Sequence, residues 1–475
     1  MKGPPVSLDQ RFAEEMGALL GPSFPSEIGL AVSGGGDSMA MLALAHGWAR
    51  VFGVRLWVVT VNHGFREEAA AEAEMVAAEC AVLGWPHASL HWSWDGHGNA
   101  MEAAREARVR LIAGWRGRLR HVLMAHTQDD VAETFLMRLA RGSGVDGLSK
   151  MQARRVVDQP RLGVGALAPM LGEAPAAEGC RYPVIVTADG TAGRDAGVDW
   201  WVEGETFEIL RPCLAMRRAD LRHYVRVLQV PFVDDPSNEN PAYARARIRA
   251  ALPGLSGLGL DVPTLAATAE RMARARNALR LQAADAWERI GHEARHRGAA
   301  TGDLLLERDG FAGLPREVQL RLLAAAIGFV SGTVRRPRAA RLEEVLDRVL
   351  SGGGGTLGGC EILAERTHIR VFREYAALEA MAGNDDPLWD GRWLLTPEAR
   401  QKMGPVRLRP LGDAGWQSLS REEREGLTYR AARSLPMVAT GAGGARISVA
   451  QGTRDILYRP FGKDGLTFAA FLMTH

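Results

Sequence analysis

The chain has 475 residues, more than one hydrophobic core usually holds, so its length favours about two to four domains. Its 58 lysines and arginines stand against 56 aspartates and glutamates, and the resulting net charge of +2 does not by itself indicate a nucleic-acid-binding protein. Any affinity for RNA must come from local basic patches. The four cysteines form no C-x-x-C pair, which argues against a zinc ribbon, an iron–sulfur site and a disulfide scaffold; they are Cys80, Cys180, Cys213 and Cys360.

Cysteine usage and hydropathy also predict the compartment. Scattered cysteines fit a reducing environment. Residues 1–15 carry proline and charge where a signal peptide needs an apolar segment, and no later stretch is long and apolar enough to span a bilayer. We therefore expect a cytoplasmic protein with no membrane partner.

The first part of the chain alternates between predicted strands and helices. This alternation favours right-handed crossovers and a doubly wound parallel sheet, an α/β fold, within a catalytic domain over residues 1–255. The apolar runs predict strands over residues 28–32, 56–61 and 121–125, a further short strand within 85–99, and helices over 38–51, 67–83, 100–116 and 131–140.

The remaining elements predict two further domains. Residues 159–204 are rich in Gly, Pro and Ala without steady periodicity, so we interpret them as an insertion in the first domain, which resumes with a helix over 219–230. A mostly helical middle domain is expected over 256–380, with helices over 262–292, 316–329 and 339–350 and a closing hairpin of 360–364 and 368–372. A small mixed α/β domain is expected over 386–475, with strands near 406–409, 447–449 and 456–458.

A glycine-rich turn joins the first strand to the first helix of the alternating region. Unpaired N–H groups at a helix start bind anions, and glycines let the backbone approach a ligand closely. The turn is not a Walker A loop, because no lysine follows it, and it is not a dinucleotide fingerprint. An ordinary glycine turn with Ser38 as its N-cap is the alternative. The residues concerned are Ser33, Gly34, Gly35, Gly36, Asp37 and Ser38.

Charged residues follow later elements of the same region. Asp129, Asp130 and Glu133 come just after the strand over 121–125, at the sheet edge where open α/β sheets bind ligands. Acids at a helix start also simply complement the helix dipole. Arg105 and Arg108 share a helix face with Glu102, where solvated charge pairing is the alternative.

The glycine turn resembles the S-G-G-x-D-S signature of PP-loop ATP pyrophosphatases. Further motifs, in the same order, resemble the long form of the tRNA(Ile)-lysidine synthases; they are 62–66, 102–108, 126–134, 141–148, 211–214 and 234–249. One departure is Ala246, where that family usually has asparagine. Residues 407–412 and 430–436 resemble the family's small C-terminal domain, which is thought to help recognise tRNA.

The resemblance assigns roles to individual residues. It implies that Asp37 and Asp130 bind Mg²⁺, that Arg105 places the carboxylate of a lysine substrate, and that Glu133 engages the ammonium group of that lysine. Contacts with ATP are expected from the glycine turn and from Asn62, His63 and Arg211. No general base stands out, although His63 and His126 are nearby candidates.

The resemblance also implies a reaction and its partners. ATP with Mg²⁺ would adenylate C2 of the wobble cytidine of a CAU-anticodon tRNA(Ile), and free L-lysine would then displace AMP to give lysidine. A homodimer is the family expectation, and contact with RNA phosphates is expected from Arg245, Arg247 and Arg249. The alternatives are a PP-loop tRNA 2-thiolase, an NAD or GMP synthetase, and a catalytically silent tRNA-binding protein.

Overall fold

The computed structural model describes residues 6–64, 68–92, 94, 96–98, 100–157, 206–234, 240–333, 336–379, 388–403, 406–439, 446–460 and 465–474. The chain divides into two compact units, Met1–Arg274 and Ala275–His475. This division falls inside a long helix and not at residue 255, and the second unit contains both the middle and the C-terminal segments. The three-domain division expected above stays a prediction.

Each helix for which bounds were predicted is present to within about three residues, and the described ranges contain further helices that were not predicted, such as Leu8–Leu20. In chain order the described helices are α1 Leu8–Leu20, α2 Gly36–Phe52, α3 Glu68–Leu83, α4 Ala100–Trp115, α5 Gln128–Leu139, α6 Val145–Leu148, α7 Arg218–Val227, α8 Ala244–Ser256, α9 Val262–Ile290, α10 Arg308–Ala312, α11 Arg316–Ser331, α12 Ala339–Leu350, α13 Tyr375–Glu379, α14 Pro397–Met403, α15 Gly412–Ser418, α16 Arg421–Arg424, α17 Tyr429–Ala432 and α18 Phe468–Thr474.

The described strands form one sheet in the first unit and three in the second. They are β1 Glu27–Ala31, β2 Arg55–Asn62, β3 His87–His91, β4 His121–Met124, β5 Arg154–Val157, β6 Phe207–Leu210, β7 Gly291–His296, β8 Ala299–Glu307, β9 Gly354–Leu357, β10 Cys360–Ala364, β11 His368–Arg373, β12 Trp393–Leu395, β13 Leu408–Pro410, β14 Pro436–Ala439, β15 Arg446–Ser448 and β16 Ile456–Tyr458.

The first unit is built on a six-stranded sheet in the order β3-β2-β1-β4-β6-β5. All neighbours pair in parallel except β5, which runs antiparallel to β6. Helices cover both faces. Along β4, for example, Leu123 packs in the core with α1, α2 and α7, whereas Val122 and Met124 pack with α4 on the opposite face. The predicted doubly wound α/β fold is confirmed.

The edge strand β5 and its neighbour β6 flank the predicted insertion along the chain. The β5 and β6 strands were not predicted, and they pair so that Val157 lies opposite Phe207. The predicted insertion, 159–204, lies outside the described residues. The chain therefore leaves the sheet and rejoins it at neighbouring positions of the same edge.

The second unit contains more sheet than the sequence predicted. The predicted hairpin is confirmed as β10 and β11, but it belongs to a five-stranded sheet in the order β7-β8-β11-β10-β9. Strand β8 buries Asp303, whose carboxylate accepts a hydrogen bond of 2.9 Å from Arg370 on β11. Two smaller sheets, β12-β16 and β13-β14-β15, contain strands near all three of the predicted C-terminal ones.

Across the described ranges, no helix combines the length and the apolar character needed to cross a bilayer.

Replacing Leu30 in the central strand tests the position of the core. Leu30 is fully buried, so Leu30→Ala should lower the free energy of unfolding of the first unit by about 2–5 kcal/mol. The control Val51→Ala removes a side chain that is 77% exposed and should change it by less than about 0.5 kcal/mol. Native-state hydrogen exchange of β1 and β2 amides reports on this unit alone. Equal effects of the two changes would contradict the described core.

Candidate active site

The glycine turn is stabilised by its own serines. Ser38 Oγ accepts a hydrogen bond of 3.1 Å from the N–H of Ser33 and donates one of 2.8 Å to the carbonyl oxygen of Gly35. Gly34 has φ of 83°, a left-handed conformation that side chains disfavour. Gly35 is the N-cap of α2 and makes no side-chain capping bond. The first N–H groups of this helix are therefore oriented toward any anion bound at the turn.

The sheet brings the predicted site residues to one edge. Because β2, β1, β4 and β6 are parallel neighbours, their carboxyl ends meet at the same edge, where ligands bind in open α/β sheets. Asn62 ends β2, the glycine turn follows β1, and Arg211 follows β6. Asp130 and Glu133 lie in the first turns of α5, shortly after β4.

Three acids converge on one arginine that the sequence analysis did not single out. The Nε of Arg218 donates to Asp37 Oδ2 (2.9 Å), its Nη2 to Asp130 Oδ1 (3.1 Å) and its Nη1 to Glu133 Oε1 (2.7 Å). The Arg218 side chain is 14% exposed. A single guanidinium thus links the start of α2 to two successive turns of α5.

Asp129 fixes the helix that carries Arg218. Its Oδ2 accepts hydrogen bonds from the backbone N–H of Arg218 (2.8 Å) and from Arg217 Nε (3.4 Å). A carboxylate at the start of α7 also complements the helix dipole. The two adjacent aspartates of the motif therefore act on the same arginine, one through its backbone and one through its side chain.

Glu133 is enclosed by arginine side chains. Its side chain is fully buried, and besides Arg218 its oxygens pair with Arg245 Nε (3.2 Å) and Arg249 Nε (2.9 Å). In this arrangement Glu133 meets three guanidinium groups, so a lysine ammonium would have to replace one of them. Arg245 and Arg249 accordingly face this acid, whereas Arg247 donates to the carbonyl oxygens of residues 241 and 242.

The pKa values of the two predicted metal ligands, Asp37 and Asp130, are shifted in opposite directions. Burial raises the pKa of Asp37 above its usual value, despite the opposing charge of Arg218. Burial also acts to raise the pKa of Asp130, but Arg218, Arg245 and the N–H of Thr127 outweigh it, so that this pKa is lowered. Thr127 donates to Asp130 Oδ2 through both its N–H (2.8 Å) and its Oγ1 (2.9 Å). The surroundings of Asp130 therefore stabilise its charged form, whereas those of Asp37 destabilise its charged form.

The donor set fits a magnesium ion bound together with phosphates. Asp37 Oδ1 is buried and has no hydrogen-bond partner among the described residues. Mg²⁺ typically uses one or two carboxylates, with phosphate oxygens and water completing its shell. The described residues contain no cluster of three or more His, Cys, Asp or Glu side chains that could hold a metal ion by themselves.

The remaining predicted residues flank this centre. Asn62 Oδ1 accepts a hydrogen bond of 2.8 Å from Gly64 N and so shapes the turn after β2. Arg211 donates to the carbonyl oxygen of Gln152 at 2.7 Å, and burial together with Arg155 and Arg105 lowers its pKa to about 10. Arg105, Arg155 and Arg211 therefore concentrate positive charge in one place.

Neither histidine candidate is a strong proton acceptor. Burial and Arg108 lower the pKa of His63 to about 4, and burial and Arg211 lead the causes that lower the pKa of His126 to about 4. Both imidazoles are therefore neutral near pH 7. General-base catalysis is most efficient when the pKa lies near the working pH, so both are weak candidates for it.

The only sequence signal that includes Arg218 is the high density of arginines around it. The chain is crowded with arginines from Arg211 to Arg226, but surface helices explain such crowding equally well. Arg218 is separated from Asp37 by 181 positions. No local pattern assigns a partner at that distance, which is why the residue was missed.

Comparison with known proteins defines first the class and then the family. A model of the PP-loop domain matches residues 8–165 and 196–255, so the fold and the glycine turn are those of an ATP-utilising PP-loop domain. A tRNA(Ile)-lysidine synthase from Ruegeria pomeroyi is 38% identical over 432 residues, which cover 88% of this chain and 87% of that relative. Another from a Bradyrhizobium species is 39% identical over 342 residues, or 69% of this chain and 82% of the relative. The chain belongs to the tRNA(Ile)-lysidine synthase family.

Likeness to solved structures is weaker. A U34-tRNA thiolase from Methanococcus maripaludis is 14% identical, with a TM-score of 0.37, over 55% of this chain and 78% of its own. A likeness at this level carries no weight for function.

Paired isosteric changes test the electrostatics of the acids. A group whose pKa is raised on folding stabilises the protein below its unfolded pKa, about 3.9 for an aspartate, and this stabilisation is lost as the pH rises through the folded pKa. The pKa of Asp37 is raised, so at pH 7 its negative charge destabilises the folded protein. A lowered pKa gives stability that is present above the unfolded pKa and lost as pH falls through the folded pKa, so charged Asp130 stabilises the protein at pH 7.

Asp37→Asn should therefore raise the free energy of unfolding at pH 7, and Asp130→Asn should lower it. Urea unfolding of the two variants and the parent, without nucleotide, measures both signs. A loss of stability in Asp37→Asn as large as that in Asp130→Asn would contradict the assignment.

Proposed function

We propose that this protein ligates L-lysine to C2 of the wobble cytidine of CAU-anticodon tRNA(Ile), with ATP and Mg²⁺, yielding lysidine, AMP and pyrophosphate. The observation that carries the proposal is the convergence of Asp37, Asp130 and Glu133 beside the glycine turn, in a chain of the lysidine synthase family. The reaction is that of a cytoplasmic ligase acting on RNA.

The first step transfers AMP to the tRNA. The O2 atom of the cytidine attacks the α-phosphorus of ATP, the bond to the β-phosphate breaks, and pyrophosphate leaves. The backbone N–H groups at the start of α2 bind the phosphates, a role for which the uncapped helix start is suited. Asp37 and Asp130 are the residues that would hold Mg²⁺, which would neutralise charge on the phosphates.

The second step joins lysine to the base. The side-chain nitrogen of lysine attacks C2, the bond from C2 to the bridging oxygen breaks, and AMP leaves. The lysine ammonium must release a proton before it can attack. Arg105 places the lysine carboxylate, and the positive charge that it shares with Arg155 and Arg211 supports that role. Glu133 engages the ammonium only after it exchanges one of its arginine partners.

The environment of the cysteines argues against the thiolase alternative. In the part of the chain that the structure describes, Cys80, Cys213 and Cys360 are buried and unpaired. Burial, as the main cause, raises the pKa of Cys80 and Cys360 to about 12 and raises that of Cys213 as well. Sulfur transfer needs a reactive thiolate, which these sites disfavour.

Label transfer tests the reaction itself. The purified protein is incubated with ATP, Mg²⁺, radiolabelled lysine and tRNA(Ile) carrying the CAU anticodon, and label should enter the RNA with one AMP formed per lysine. The same tRNA with a GAU anticodon is the control and should remain unlabelled. In a parallel incubation with a sulfur donor, sulfur incorporation without lysine incorporation would contradict the proposal in favour of thiolation, and pyrophosphate release with neither would indicate another adenylating enzyme.

Two substitutions should separate the half-reactions. Asp37→Ala removes a metal ligand and should lower AMP formation by about 100-fold or more. Arg105→Ala removes a charge-assisted contact and should raise the KM for lysine by about 10- to 100-fold while adenylation stays measurable. Arg110→Ala on the same helix serves as the control for Arg105. An unchanged KM for lysine in Arg105→Ala would overturn the role given to that residue.

A further inference from the structure

The phosphate-binding turn carries no cation of its own. Residues 33–41 contain no lysine or arginine, although the pyrophosphate part of ATP carries several negative charges. In a Walker A loop a lysine in the motif itself reaches the outer phosphates. In this protein a side-chain cation that binds the phosphates can only come from outside the turn.

Arg222 lies against the turn. A Cβ atom placed on Gly36 would be 3.3 Å from Arg222 Cγ and 3.3 Å from a ring carbon of Phe232. Arg222 is one helical turn beyond Arg218 on α7, so both side chains point from the same face of this helix. The charge of Arg222 also acts on Asp37, where it opposes the rise in pKa that burial causes.

The partner of Arg222 lies at the edge of the same turn. Val233 N–H donates a hydrogen bond of 3.0 Å to the carbonyl oxygen of Gly34, which places the segment of residues 232–234 beside the turn. Arg222 Nη2 donates to Asp234 Oδ1 at 2.6 Å. This contact holds the guanidinium within reach of the site where phosphates bind.

Arg222 is held much less firmly than Arg218. The Nε atom of Arg222 is buried and has no hydrogen-bond partner among the described residues. Its carboxylate partner, Asp234, is 55% exposed, whereas the three partners of Arg218 are enclosed. Exposed ion pairs contribute little stability, so Arg222 can exchange Asp234 for another anion at low cost.

We propose that Arg222 binds the pyrophosphate part of ATP and that, before the nucleotide binds, Asp234 occupies the guanidinium of Arg222. The proposal rests on the ATP-dependent reaction proposed above. The planar guanidinium suits two phosphate oxygens at once, and the unpartnered Nε supplies a further donor. Asp234 competes with phosphate for the same group and therefore weakens phosphate binding.

A purely structural role for the pair predicts a different pattern. If the Arg222–Asp234 contact only fastened residues 232–234 to α7, removing either partner would disturb the turn in the same way. If Arg222 binds phosphate, the two removals have opposite effects. The sign of the Asp234 effect therefore distinguishes the two roles.

Calorimetric titration of the full-length protein with magnesium pyrophosphate tests the proposal without turnover. Arg222→Gln should weaken binding by about tenfold or more, since a hydrogen-bonded charge pair is lost. Arg222→Lys should recover part of this loss, and Asp234→Asn should tighten binding relative to the parent. Arg226→Gln, an exposed arginine one turn further along α7, is the matched control and should leave the Kd unchanged.

Each other outcome overturns the proposal. Unchanged binding in Arg222→Gln, or weaker binding in Asp234→Asn, would show that Arg222 has no phosphate-binding role while ATP chemistry at the turn still stands. A parent protein that binds neither magnesium pyrophosphate nor ATP would overturn the proposed function as well. If Arg222→Gln fails to fold, which circular dichroism reveals, the Asp234→Asn titration alone decides.

Discussion

The contact of Arg218 with three carboxylates is the interaction on which the site depends. Asp37, Asp130 and Glu133 would repel one another at close range in a partly buried place, and the cost of burying unpaired charge is high. Arg218, with Arg245 and Arg249, provides three positive charges for these three negative ones. The site is therefore electrically balanced before any substrate arrives, and a bound cation must displace or reorient a guanidinium.

This charge balance is built from parts of the chain that are far apart in sequence. Strands β1 and β4 place the acids side by side, but α7 and α8, which follow the predicted insertion, carry the arginines. Asp129 anchors the start of α7 and so sets where Arg218 lies. The site is complete only when the chain on both sides of residues 158–205 has folded onto the same sheet.

The sequence could predict the sheet and the acids but not the arginines that hold them. Strands of apolar residues alternate with helices, and the ends of parallel strands are where ligands bind, so the pattern puts Asp37 and Asp130 near this edge of the sheet, whereas their expected role came from the family resemblance. Arg218 acts across 181 positions, and no periodicity reports a contact of that range. Strands β7 and β8 were missed for a related reason. They bury polar groups such as Asp303, which a hydrophobic pattern does not mark and which the partner Arg370 makes tolerable.

The pairing of β5 with β6 has a consequence for how this family can vary. Because Val157 and Phe207 face each other across a ladder, the two ends of the intervening chain are fixed close together by the sheet itself. The entropy of closing a loop grows only logarithmically with its length, by about 0.6 kcal/mol for each doubling. Insertions, deletions or replacements in the chain between these two strands should therefore have little effect on the stability of the catalytic core. This edge of the sheet is where the fold tolerates changes of length best.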